Sequence, residues 1–151
     1  MKLIKLLTFF LTFLFVGISN AEVPLTQCQI NWNKGQQLAS NQLWDKFEAT
    51  TKSLIRNCAE ELPYRMLYAD LAEAQGEQKK FKESLVSAEK CLSYGIEPEC
   101  HLRRVMALKA LGFHVLSAKQ DALIACRQVD PKSIEGIGCK RIIGQLKSIL
   151  D

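Results

Sequence analysis

Two residue types recur along this chain with one period, and that period limits the possible folds more than any other feature. Three cysteines and three prolines each recur at spacings of 33 and 35 residues: Cys58, Cys91, Cys126, Pro63, Pro98 and Pro131. Each cysteine lies near the end of an amphipathic segment, and each proline opens the next segment. A period of this length predicts repeated pairs of antiparallel helices, which bury their apolar faces by stacking on one another.

The pattern is clearest in residues 64–92. Apolar side chains recur at helical spacing in two stretches, at Tyr64, Leu67, Tyr68 and Leu71, then at Phe81, Leu85, Ala88 and Leu92. We expect two helices here, with Pro63 at the start of the first. Gly76 is predicted to end that helix as a left-handed C-cap, and residues 77–80 are predicted to form the connection.

Apolar residues at helical spacing and helix-capping residues also predict helices along the rest of the chain. They are expected over about residues 33–40, 42–58, 98–111 and 114–129, followed by a final helix that Asp130 caps and Pro131 opens. Residues 22–32 are predicted to be extended. No long stretch alternates with period two, so we predict an all-α fold.

The amino-terminal residues have the pattern of a secretory signal peptide. Residues 1–21 contain two lysines, then an apolar run that is short for a membrane span, and they end on a small-x-small motif at Ala21. We expect cleavage after Ala21, with an uncleaved anchor as the alternative. No second long apolar run follows, so no stable membrane insertion is expected after cleavage. The predicted location is periplasmic or secreted.

Charge gives little support to a nucleic-acid or anionic-membrane partner. Without Lys2 and Lys5, the chain carries 18 of its 20 basic residues against 16 acidic ones. A net charge this close to zero does not favour a polyanion, so no nucleic acid is expected.

The six cysteines all follow the predicted signal peptide. An even number in an exported chain predicts disulfides, here three. The chain contains no C-x-x-C motif and only two histidines, so no metal site is predicted and no cofactor is implied. A thiol-dependent or metal-dependent enzyme remains the least favoured alternative.

In its period and in the residues of its middle unit, the chain resembles the tetratricopeptide repeat family. The middle unit carries the small residues, the aromatic and the closing proline of that family at Ala69, Gly76, Phe81, Ser84, Cys91 and Pro98. Sel-like repeats are a related possibility, although their glycine pattern is not found here. The resemblance implies a right-handed α-solenoid of about three helical hairpins plus a C-terminal capping helix, over residues 33–151.

The resemblance also implies a disulfide pattern. In such a stack the end of one unit faces the start of the next, which implies the pairs Cys91 with Cys100 and Cys126 with Cys139. The resemblance then leaves Cys28 with Cys58, which would tie the amino-terminal segment to the first unit. Six cysteines allow 15 pairings in all, and the others remain alternatives.

The family usually binds a peptide or a partner's helix in a groove lined by the first helix of each unit. Six residues of the predicted groove helices are candidate partner contacts: Tyr64, Arg65, Tyr68, Arg103, Arg104 and Lys109. Such a basic groove favours an acidic segment or a free carboxylate. A solvated polar face is the alternative. We expect a non-catalytic scaffold or adaptor for protein–protein interaction, with a secreted inhibitor or effector of a specific target protein as the alternative.

Overall fold

The computed structural model describes residues 24–149, and the predicted signal peptide lies outside this range. The described residues form seven helices: α1 (Gln27–Ser40), α2 (Trp44–Asn57), α3 (Tyr64–Glu77), α4 (Phe81–Leu92), α5 (Pro98–Ala110), α6 (Leu116–Gln128) and α7 (Ile134–Ser148). Within this range there is no β-strand, which confirms the all-α prediction. None of the described helices is long and apolar enough to cross a membrane.

The helices pack in an order compatible with a helical repeat. Each helix contacts the next one in the chain, and α5 also contacts both α3 and α7. Helices α3, α5 and α7 therefore form a row on one side of the molecule, with α4 and α6 behind them. Pro98 occupies the first turn of α5, as the period predicts. The right-handed turn of the stack stays a prediction.

The predicted extended segment at residues 22–32 is wrong from Gln27 onward, because α1 begins there. The side chain of Thr26 accepts a hydrogen bond from the backbone N–H of Gln29, and Gln29 Oε1 accepts one from the N–H of Thr26. This reciprocal capping box satisfies two backbone donors at the helix start. The helix brings Cys28 into the protein interior, where it reaches α2.

The three helical hairpins share one turn geometry. The residue two positions after the end of α1, α3 and α5 has a positive φ in each case: 58° at Gln42, 61° at Lys79 and 81° at Gly112. The left-handed C-cap predicted at Gly76 is therefore wrong, because α3 continues through it. A Cβ at Gly76 would lie 3.4 Å from Ser84 Oγ, so this glycine lets α3 approach α4 closely.

The start of α7 also differs from the prediction. Ser133, rather than Asp130, is the N-cap, and its hydroxyl accepts a hydrogen bond from the N–H of Gly136. Asp130 instead accepts from the N–H of Lys132 within the preceding turn. A Cβ at Gly136 would overlap the backbone carbonyl of Asp130, so the turn requires glycine there.

Three disulfides join neighbouring helices of the stack. They are Cys28–Cys58, Cys91–Cys100 and Cys126–Cys139, the same pairs that the resemblance implied. The first links α1 to the end of α2. The second and third link α4 to α5 and α6 to α7, at the junctions where one hairpin meets the next helix.

The apolar core is divided along the stack. The larger cluster holds α5, α6 and α7 together through Leu102, Val105, Val115, Ala118, Ala122, Ile142 and Leu146. A second cluster near the amino-terminal hairpin consists of Cys28, Leu54, Cys58, Leu62 and Leu67. Because each cluster is small, the covalent links contribute a large part of the stability of the fold.

We predict that the double substitution Cys28→Ala and Cys58→Ala lowers the free energy of unfolding by about 3.5 kcal/mol, since this disulfide spans 30 residues. Urea denaturation followed by circular dichroism measures the change. The pair Cys126→Ala and Cys139→Ala is the control, with a smaller expected loss of about 3 kcal/mol for a separation of 13 residues. A loss below about 1 kcal/mol for the first pair would contradict a stapling role.

Candidate binding face of helices α3, α5 and α7

A band of ion pairs crosses the middle of the face formed by α3, α5 and α7. Arg103 of α5 is 6% exposed, and its guanidinium contacts the carboxylates of Glu73, Glu77 and Glu99. The Nε atom of Arg103 lies 2.9 Å from Glu99 Oε1. The other oxygen of Glu99 accepts from Arg141 of α7. The band therefore links the three helices and divides their common face into two depressions.

The first depression, which we name the Met106 cleft, lies toward the carboxyl ends of α3 and α5. It has a volume of about 560 Å³. Its lining is mostly apolar and includes Gly76, Phe81, Met106, Ala107, Ala110 and Ile149. Lys79 and Lys109 also line it, and Lys109 Nζ donates to the backbone carbonyl of Ile149. The side chain of Met106 is 38% exposed, so part of the apolar surface is open to solvent.

The second depression, which we name the Asp70 cavity, lies on the other side of the ion-pair band. Its volume is about 350 Å³, and its walls are formed by Met66, Ala69, Asp70, Glu97, Pro98, Glu99, Gly138 and Ile142. Five of these residues are apolar or glycine and three are acidic. The cavity thus combines apolar walls with carboxylates.

Asp70 differs electrostatically from the other two acidic residues of the cavity. Its Oδ2 atom accepts hydrogen bonds from Trp32 Nε1, at 2.9 Å, and from Gln36 Nε2, at 2.8 Å. Burial raises the pKa of Asp70 to about 6; these two hydrogen bonds oppose the shift, and the negative charges of Glu73 and Glu99 add to it. Burial also raises the pKa of Glu73, although Arg103 opposes that shift. Asp70 therefore carries its charge at a free-energy cost at neutral pH.

The predicted partner contacts do not form one basic groove. Tyr64 and Tyr68 lie together at the start of α3, where both rings stack on Tyr94 with centroid distances of 4.9 and 5.8 Å. Arg65, nearby, is 3.9 Å from a carboxylate oxygen of Glu97. Tyr64, Arg65 and Tyr68 line neither depression, although Glu97 belongs to the wall of the Asp70 cavity.

The three cations predicted on α5 point in different directions. Arg104 lies on the side of α5 that faces α4 and α6, where it is 3.8 Å from Glu89 and 3.5 Å from Asp121. Arg103, predicted as a partner contact, is instead held inside the ion-pair band and is nearly fully buried. Lys109 alone among them lines the Met106 cleft as an exposed cation.

Sequence reasoning missed Asp70 and Met106, which line the two depressions. Asp70 lies outside the apolar stripe of α3, so no local pattern indicated that its carboxylate would be buried and would need donors from another helix. Those donors, Trp32 and Gln36, are 38 and 34 residues away, and no local pattern connects them to it.

The described residues contain no group of three or more His, Cys, Asp or Glu side chains that could hold a metal ion. All six cysteines are bonded, so thiol chemistry would first require reduction of a disulfide. A scan against protein-family models finds no match to this chain, and a search of curated proteins finds none either.

We predict that Arg103→Ala lowers the free energy of unfolding by about 3–5 kcal/mol, because it leaves three neighbouring carboxylates without their common cation. The matched control is Arg104→Ala, whose side chain is 30% exposed and forms only longer surface ion pairs. Its expected cost is below about 1 kcal/mol. Urea denaturation at pH 7.5 compares them, and equal losses would contradict the structural role of Arg103.

We predict that ionisation of Asp70 lowers the free energy of unfolding as the pH rises, and that Asp70→Asn removes this effect. The folded state binds the proton of Asp70 more tightly than the unfolded chain does, because burial raises its pKa from 3.8 to about 6. The contribution of this group to stability therefore falls as the pH rises through that window. Between pH 4.5 and 7.5 the wild type should lose about 2 kcal/mol relative to Asp70→Asn. Urea denaturation of both proteins at the two pH values measures this change. The prediction is contradicted if the difference in unfolding free energy between wild type and Asp70→Asn is the same at both.

Proposed function

We propose that this protein is an exported, non-catalytic helical-repeat scaffold that binds another protein through the face formed by α3, α5 and α7. The observation that carries the proposal is the Met106 cleft, an open and mainly apolar depression on that face. Three disulfides in a small helical stack are typical of proteins that work in oxidising compartments, which supports export.

The composition of the cleft suits an apolar side chain of a partner segment. Phe81, Met106 and Ile149 provide apolar contact surface. Methionine is unbranched and adapts its shape to a ligand, and partly exposed methionines are common on protein-binding surfaces. Lys79 and Lys109, which also line the cleft, are both exposed and would help to orient a partner of complementary charge.

Binding by this face is favoured if the face is rigid before the partner arrives. The ion-pair band and the core residue Leu102 fix α5 against α3 and α7. The Cys91–Cys100 disulfide holds the start of α5 against the end of α4. A preformed face avoids part of the entropic cost of ordering on binding.

We predict that Met106→Glu weakens peptide binding about tenfold or more, because it places a charge in the apolar cleft. Peptides are selected against the wild-type protein from a phage-displayed random library, and dissociation constants are measured by fluorescence anisotropy. Val86→Glu is the matched control, since Val86 is an exposed apolar residue of α4 that lines neither depression.

Selected peptides that bind the wild type and Val86→Glu equally, and Met106→Glu weakly, would support the proposal. Peptides that bind all three proteins equally would show that another surface is used. A library that yields no binder to the wild type would argue against a peptide-binding face altogether.

A further inference from the structure

The Asp70 cavity contains a negative charge that no cation of the described residues 24–149 pairs with. Glu99 contacts Arg103 and Arg141, and Glu97 lies near Arg65. Asp70, by contrast, forms no salt bridge with any described residue, and its hydrogen-bond donors are the neutral side chains of Trp32 and Gln36. A carboxylate that is partly removed from water and is not directly paired with a cation costs free energy.

We infer that the Asp70 cavity is a binding site for the side chain of a lysine from the partner protein. The aliphatic part of the lysine would pack along Met66, Ala69 and Ile142, and its ammonium would reach the carboxylate of Asp70. This combination of an apolar stem and a charged end matches the combination of apolar walls and a carboxylate in the cavity.

The geometry favours lysine over arginine. The Oδ2 atom of Asp70 already accepts two hydrogen bonds, so only Oδ1 is available to a ligand. An arginine side chain gains most when it binds both oxygens of a carboxylate at once. A lysine ammonium is a compact charge that binds well to one oxygen. The raised pKa of Asp70 supports the inference, because an arriving cation would offset the burial of the carboxylate.

This inference rests on the proposed function, since the lysine is assigned to the partner that occupies the Met106 cleft. Glu99, in the cavity, and Met106, in the cleft, are seven residues apart on α5. At the rise of an α-helix this separation is about 10 Å. The partner should therefore present a lysine and an apolar side chain about 10 Å apart, a distance that two turns of helix or three residues of extended chain provide.

The test uses the indole N–H of Trp32, which donates to Asp70, as a local reporter in NMR spectra of the ¹⁵N-labelled protein expressed into an oxidising compartment. The probe is Nα-acetyl-lysine N-methylamide at pH 7.5, and the neutral control is the norleucine analogue. The lysine probe should shift the Trp32 indole signal in a saturable manner, with a dissociation constant in the millimolar range, roughly 1–10 mM. The indole signal of Trp44, the other tryptophan, should stay in place.

Two kinds of variant separate binding from a purely structural role of Asp70. Asp70→Asn keeps a hydrogen-bond acceptor but removes the charge, and it should weaken the lysine response about tenfold or more. Gly138→Leu should abolish the response by filling the cavity, because there is open space where its side chain would start. Gly144→Leu is the matched control on the same helix, where there is also open space but no cavity wall, and it should bind normally.

The outcomes distinguish this inference from the proposed function. A Trp32 signal that does not move, or that moves equally with the norleucine probe, would overturn the lysine site. A normal response in Gly138→Leu would do the same, even if Asp70→Asn did not fold. Met106→Glu should leave the lysine response unchanged, so loss of peptide binding to the cleft and loss of lysine binding to the cavity are measured independently.

Discussion

The ionic contacts of Arg103 determine the chemistry of the whole candidate binding face. Its guanidinium contacts carboxylates from α3 and α5. One of them, Glu99, also accepts a hydrogen bond from Arg141 of α7. The cation therefore stabilises the row of helices and is not available to a ligand. Removing this buried guanidinium is expensive, since the partly buried carboxylates around it lose their common cation. The open parts of this face are the mainly apolar Met106 cleft on one side of the band and the Asp70 cavity on the other.

The small size of the stack explains why covalent links occur at each end. The three hairpins bury only small apolar clusters, and the last hairpin of such a stack needs a terminal element that covers its apolar face. Helix α7 has this role at one end through Ile142 and Leu146, and the Cys126–Cys139 disulfide fixes its start. At the other end, Cys28–Cys58 and the two hydrogen bonds to Asp70 hold α1.

The recurrence of prolines and cysteines in the sequence predicts the parts of the structure that repeat along the chain. Pro98 and the cysteine spacing indicate the hairpins and their junctions, because each unit places the same residue type at the same point. Local chemistry could also have identified α1, since Thr26 and Gln29 form a capping-box pattern, but the weak apolar periodicity around them favoured an extended segment. The environment of Arg103 could not be predicted, because Glu73 is 30 residues away and only the packing of α3 on α5 brings it close.

The shared turn of the three hairpins has a consequence for how such a surface can be built. Glycine adopts a positive φ at little cost, whereas a residue with a side chain pays about 1 kcal/mol or more in steric strain. The third hairpin uses Gly112, but the second uses Lys79, and Lys79 lines the Met106 cleft. At this position the backbone shape repeats while the side chain does not. A small cost in conformational strain at one turn thus places on the candidate binding face a charged group that a glycine at the equivalent position could not supply.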